Sequence, residues 1–330
     1  MAEGSQRAVA AAIVGNTIIT LAKLGGFLVS GSAAMLSETL HSVADTLNQV
    51  LLMVGIVKGS READPDFPFG YGAERHVWAL LSAVGIFFLG CGVTVYHGIH
   101  AYLAPHPIEE IGLAVGILVV SFLLEGTVLV IAWRGLRKEA AGRPFMDFLR
   151  HRADPSAVAV LLEDSAACLG IILALGGLLL SRTTGDPRWD AAASIAIGIL
   201  LGLIALWLIH RNRHLLVGPA IPPEARERIR ATLAAHPTVE RVALLRTRVL
   251  DTETWGVTAE VDFAGEALAE RLEGRLREAW EGIETWEDFR AFAAEYAEEI
   301  MELLGTEVDV LEQEIRKAVP RARYLDIEAD

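Results

Sequence analysis

Apolar residues fill the first two-thirds of the chain in long runs, broken by short polar turns that carry glycine and proline. Six runs reach spanning length: 8–30, 32–57, 76–104, 108–133, 156–181 and 189–210. A helix rising about 1.5 Å per residue needs roughly 20 apolar residues to cross 30 Å of hydrocarbon, and each run exceeds that. The pattern predicts six transmembrane helices. The first run is too long for the apolar core of a removable signal peptide and lacks its small-residue cleavage site, so it is read as a retained helix.

Past Arg213 the long runs end and arginine alternates with glutamate, which marks a solvated domain. The division predicted is a six-helix membrane domain over 1–212 and a solvated domain over 213–330. Pro222 and Pro223 open a helical pattern to about Ala235. Residues 239–250 and 254–263 alternate as two strands, and 322–327 reads as a last short strand. Between them, 266–318 is a charged amphipathic helical stretch with breaks expected near Gly282 and Gly305. The order αββαβ predicts a small α+β domain with its sheet covered on one face.

Composition and charge sharpen this picture. The chain is 52% hydrophobic, and most of its formal net charge of -14 falls in the carboxy-terminal segment, which argues against nucleic acid or an anionic lipid surface as a partner. Basic residues gather on one side of the predicted helices, Lys58, Arg61, Arg75, Arg134, Arg137, Lys138, Arg211 and Arg213 among them, against Arg182 and Arg188 on the other. The positive-inside rule then places both termini in the cytoplasm. Cys91 and Cys168 lie in spans without CxxC spacing, so both are expected reduced and buried.

The chemistry sits inside the spans. A charged side chain near the bilayer centre costs about 2.5 to 3.5 kcal/mol by the gentlest scale, so it needs a partner, a wet cavity or a bound cation. His41 and Asp45 are four residues apart, and Asn48 follows three further on, so the three share one helical face. Imidazole with carboxylate suits Zn²⁺ and neighbouring divalent ions. Alone, the pair is equally compatible with a hydrogen-bonded core histidine. On the fifth run Glu163 and Asp164 are adjacent acids that would trade protons for a divalent cation, which is antiport chemistry. The competing reading pairs Glu163 with a basic group, and only Lys23 in the first run offers one. Glu125, at the same depth as Asp164, reads as a proton relay or a hydrogen-bonding partner of His41, against the plainer reading of a packed carboxyl. His97 and His100 are expected to snorkel at the membrane interface.

The run SETLHSVADTLNQ, the turn Asp66-Phe67-Pro68-Phe69-Gly70-Tyr71-Gly72, the segment DPSAVAVLLEDSAA and the terminal Tyr324-Leu325-Asp326-Ile327-Glu328 together resemble the cation diffusion facilitator family. The resemblance implies a transporter, not an enzyme. Its fold would be a six-transmembrane-helix bundle with a ferredoxin- or metallochaperone-like αββαβ domain in the cytoplasm. It would act as a homodimer in the lipid bilayer, exporting Zn²⁺ in exchange for H⁺ by alternating access, with a bacterial cytoplasmic membrane as the expected location. Mn²⁺, Fe²⁺ or Co²⁺ is the alternative cargo, and a membrane metal sensor or scaffold the alternative class. Carried over residue by residue, the family's ligands fall on His41, Asp45 and Asp164. The usual histidine one turn before that aspartate is Val160 here, leaving Glu163, Asn48 or water to complete the shell. The family's loop histidines are replaced by Phe67 and Tyr71, and with only His214 and His236 past the last span, the domain is expected to dimerise rather than sense zinc.

Overall fold

A computed structural model describes residues 2–151, 155–251 and 254–330; Asp154, in the quoted DPSAVAV motif, lies outside them. The helices and strands in chain order are α1 (Ala2–Ser30), α2 (Ala33–Gly59), α3 (Glu74–Gly85), a π-helical segment (Ile86–Val93) leading into α4 (Thr94–Leu103), α5 (Ile111–Glu139), α6 (Phe145–His151), α7 (Pro155–Thr184), α8 (Arg188–Val217), α9 (Pro223–Ala235), β1 (Val239–Val249), β2 (Trp255–Phe263), α10 (Gly265–Arg271), α11 (Glu273–Trp280), α12 (Trp286–Ala318) and β3 (Ala322–Ala329). They form two compact units, Met1–Asp64 with Glu74–Arg213, and Pro65–Ala73 with His214–Asp330.

In the first unit, among the described residues, five helical stretches are long and apolar enough to span a membrane, and α1 adds the shorter apolar stretch Val14–Ser30. Helix α1 ends where Gly31 takes a φ of +66°, a left-handed turn open to glycine at little cost. Ser32 then caps α2, its hydroxyl accepting from the Met35 N–H at 3.0 Å. Met35, Leu118, Ile171, Leu178 and Ile197 bring α2, α5, α7 and α8 into one buried cluster. Leu28, Phe88, Ile131 and Leu203 point outward, as lipid-facing side chains do. Between helices in lipid the hydrophobic effect offers little, so close packing of small residues matters more. A Cβ at Gly98 would lie 2.8 Å from Ile195, and one at Gly198 would lie 2.7 Å from Val95, so α4 and α8 approach at a distance that only glycine permits.

The second unit is a three-stranded sheet in the order β1-β2-β3, with β1 antiparallel and β3 parallel to the central β2. Leu245, Val257, Ala259 and Val261 of the sheet pack on Ile229 and Leu233 of α9 and on Leu311 and Ile315 of α12. The expected break near Gly282 is the turn before α12, but no break occurs at Gly305, which lies inside α12. One glycine costs a helix only about 1 kcal/mol, and the buried Leu311 and Ile315 beyond it offset that. His236, expected to be unimportant for metal, is buried, its Nδ1 2.9 Å from the Thr238 hydroxyl, beside Glu307, which also holds Arg271.

Residues 65–73, between α2 and α3, belong to this second unit. Phe69 meets Tyr324 edge-on at 5.0 Å between centroids, and the Arg248 guanidinium lies 5.2 Å from the Phe69 ring. Tyr324 donates its hydroxyl to the Pro68 carbonyl at 3.4 Å, while Phe67 and Tyr71, standing where the family carries histidines, lie 4.6 Å apart.

Candidate metal-transport site

On α2 the residues Glu38, His41, Asp45 and Asn48 succeed one another at steps of three, four and three, which keeps them on one face. The helix is anchored at its first turn by Asp190 of α8. That buried carboxylate accepts from the Ser32 hydroxyl at 2.7 Å, the Ala33 N–H at 2.6 Å and the Ala34 N–H at 3.4 Å. A carboxylate there satisfies orphaned donors and meets the positive end of the helix dipole. Helix α2 packs on α1, α3 and α7, and α7 carries the second pair of acids.

His41 is 4% exposed and its Nε2 lies 3.2 Å from Asp45 Oδ2. The approach is off the line that a hydrogen bond needs, and neither ring nitrogen has a hydrogen-bond partner. Asp164 Oδ2 is likewise buried without one. Leaving such an atom unpaired costs about 1 to 3 kcal/mol, so these lone pairs are suited to a cation. Asn48 uses both ends of its amide: Nδ2 donates to Glu163 Oε2 at 3.2 Å, and Oδ1 accepts from the Ser82 hydroxyl at 2.7 Å. It thereby ties α2, α3 and α7 together and holds Glu163 in place.

The predicted residues therefore form two half-sites, His41 with Asp45 on α2, and Glu163 with Asp164 on α7. Asp45, Glu163 and Asp164 act on one another as like charges. Among the described residues no three His, Cys, Asp or Glu side chains converge closely enough to hold an ion in this conformation. Val160 is 45% exposed on α7. Cys168 is buried as expected, whereas Cys91, which packs against Gly202 from the π-helical segment, is only partly so. His97 and His100 lie elsewhere, lining with His106 a cavity of about 270 Å³ beside Ala33.

Lys23 pairs with neither half-site. Its Nζ lies 3.0 Å from Glu38 Oε2 and 2.9 Å from Glu125 Oε1, with Lys23 and Glu38 fully buried. Glu38 was the residue that sequence reasoning passed over. Its signal was present, since it continues the His41, Asp45 and Asn48 stripe by one turn. Glu125 faces Lys23, and Asp190 caps α2; neither pairing has a local sequence signature.

Comparison with known proteins identifies the family. The family described as the cation efflux transmembrane domain matches residues 9–217. The chain is similar to the proton-coupled zinc antiporter SLC30A9, mitochondrial, of Xenopus laevis, 36% identical in an alignment that covers 99% of this chain and 60% of that protein. It is 37% identical to metal tolerance protein C4 of Arabidopsis thaliana over 98% of this chain and 73% of that protein. It is 28% identical to the cation-efflux pump FieF of Shewanella oneidensis over 70% of this chain and 73% of that protein.

Proposed function

This chain belongs to the cation efflux family, and we propose that it exports Zn²⁺ in exchange for protons by alternating access. The observation that carries the reading is the pair of half-sites on the directly packed helices α2 and α7, with buried His41 and Asp164 atoms that have no hydrogen-bond partner. Zn²⁺ is the cargo. His41, Asp45 and Asp164 supply three ligands, and Glu163, let go by Asn48, or a water supplies the fourth, the number that zinc prefers.

Ligation needs neutral imidazole and ionised carboxylates, so metal entry releases protons and returning protons release the metal. Small relative shifts of α2 and α7 bring the half-sites together and part them. Exchange of this kind needs the site to open to one side at a time. The basic residues flanking the spans support a topology with both termini in the cytoplasm. The protein works as a homodimer, as the family resemblance implies. The name of the SLC30A9 relative supports zinc and proton coupling.

Reconstituted vesicles with an imposed pH gradient test this reading. Zn²⁺ flux should follow the gradient and vanish in Asp45→Ala, which removes a ligand and its charge while the dimer persists by size-exclusion chromatography. Undiminished flux in that variant sinks the assignment. Binding without flux would make the protein a sensor, and preference for Mn²⁺ over Zn²⁺ in competition would change the cargo, which a carboxylate-rich shell permits.

A further inference from the structure

The pairing of Lys23, Glu38 and Glu125 lies beside the transport site without belonging to it. One ammonium is gripped by two carboxylates from α2 and α5, and Lys23 and Glu38 are excluded from solvent. Opposite charges so placed cannot be relaxed by water. With both carboxylates ionised the group carries one net negative charge, so Lys23 offsets part of the pull that these acids exert on a cation, and Glu38 Oε1 and Glu125 Oε2 are buried without hydrogen-bond partners. Helix α7 closes over Glu38 at Gly170, where a Cβ would come within 2.5 Å of Glu38 Oε1.

Glu38 is one helical turn from His41 on the same face. The charged groups on the surrounding elements act on one another: Lys23 from α1, Glu125 from α5, His41 and Asp45 from α2, and Asp164 from α7. A metal held between His41 and Asp45 would sit about five residues along α2 from Glu38, which is about 8 Å at the rise of a helix. Any divalent ion there must coexist with the resident ammonium.

We propose that Lys23 is a positioning residue that weakens the grip of the transport site: a tethered cation, held by Glu38 and Glu125, whose repulsion lets the metal leave. The idea rests on the reading of His41, Asp45 and Asp164 as the transport site. A site made only of acids and imidazole in a dry interior would bind a divalent ion too tightly to turn over. The ammonium held on Glu38, itself one turn from His41, lowers that affinity in every cycle without occupying a ligand position.

The test is Zn²⁺ affinity by calorimetry at pH 8, alongside saturating flux in vesicles. Removing one repelling charge over about 8 Å tightens binding roughly fivefold in a water-like dielectric and more in a drier one. Lys23→Met should therefore lower the Zn²⁺ Kd at least fivefold and lower the maximal flux, because release becomes slower. Glu38→Gln, which keeps the Lys23–Glu125 pair, should raise the Kd by a similar factor. The double variant Lys23→Met with Glu38→Gln should return within about twofold of the parent, and Lys23→Arg should stay there throughout.

A purely structural role predicts that both single changes weaken binding, and that outcome overturns the proposal. So does a Kd unmoved in both. If Lys23→Met does not fold, the double variant decides against Glu38→Gln: a Kd that stays as weak as in Glu38→Gln alone refutes the repulsion. Asp45→Ala separates the two readings. If the parent's Zn²⁺ binding survives that change, the transport-site assignment fails; if binding is lost there yet indifferent to Lys23 and Glu38, only this inference fails.

Discussion

Asp190→Ala is expected to be the most damaging single change away from the metal ligands. Asp190 is 2% exposed and accepts from the Ser32 hydroxyl and two backbone N–H groups at the start of α2. The Ala34 contact at 3.4 Å is marginal, so two donors are left unsatisfied in practice. At about 1 to 3 kcal/mol for each orphaned buried donor, the loss is roughly 2 to 6 kcal/mol, before the favourable dipole interaction is counted. For a domain of this size each kcal/mol moves the melting temperature by about 2 to 4 °C, so a fall of roughly 4 to 24 °C is expected in detergent-solubilised protein. The exposed Glu273–Arg277 pair, 2.5 Å apart with side chains 59% and 79% exposed, is the control. Arg277→Ala should cost under about 0.5 kcal/mol, because water and salt screen such pairs. A melting temperature for Asp190→Ala within about 2 °C of the parent would refute the reasoning.

Three further outcomes follow from the same geometry. In Asp45→Ala, the Zn²⁺-dependent proton release counted by calorimetry in buffers of different ionisation enthalpy should fall with flux, and an unchanged count places the exchanged protons elsewhere. At the start of α12 the Thr285 hydroxyl and backbone N–H donate to Asp288, holding its carboxyl below the usual aspartate range. A depressed carboxylate contributes stability that is present above its unfolded value and lost as pH falls through the folded one, so protection of the amides at 286–289 from hydrogen exchange should drop only under strongly acidic conditions, and Asp288→Asn should remove that dependence. Phe69→Ala removes the edge-on contact with Tyr324 and the Arg248 guanidinium over its ring, together about 1 to 2 kcal/mol, so residues 65–73 should exchange roughly tenfold faster while the sheet core stays protected.

Much of the protein was legible in its one-dimensional pattern, because the features concerned are set by local sterics and by the solvent a segment must face. Apolar runs of spanning length have few alternatives in a bilayer, where every backbone group needs an internal partner. The helical period alone places His41, Asp45 and Asn48 on one face of α2 and sets Glu163 beside Asp164 on α7. The order of two strands, a helical stretch that divides into three helices and a last strand follows from the same local rules, although the last of those helices runs through Gly305.

What local rules could not reach are the pairings between elements far apart in sequence. Lys23 was the one basic group available to Glu163, yet it joins Glu38 and Glu125 instead, because α1 presents it to the faces of α2 and α5. Asp190 reads as an ordinary acid at the start of α8 until folding sets it against the donors of Ser32 and Ala33. Residues 65–73 read as a loop between two membrane helices, and only the folded chain joins them to the sheet through Phe69 and Tyr324. A helix or strand is fixed by neighbours within a few residues, whereas a buried charge takes whichever partner the packing of whole elements leaves within reach.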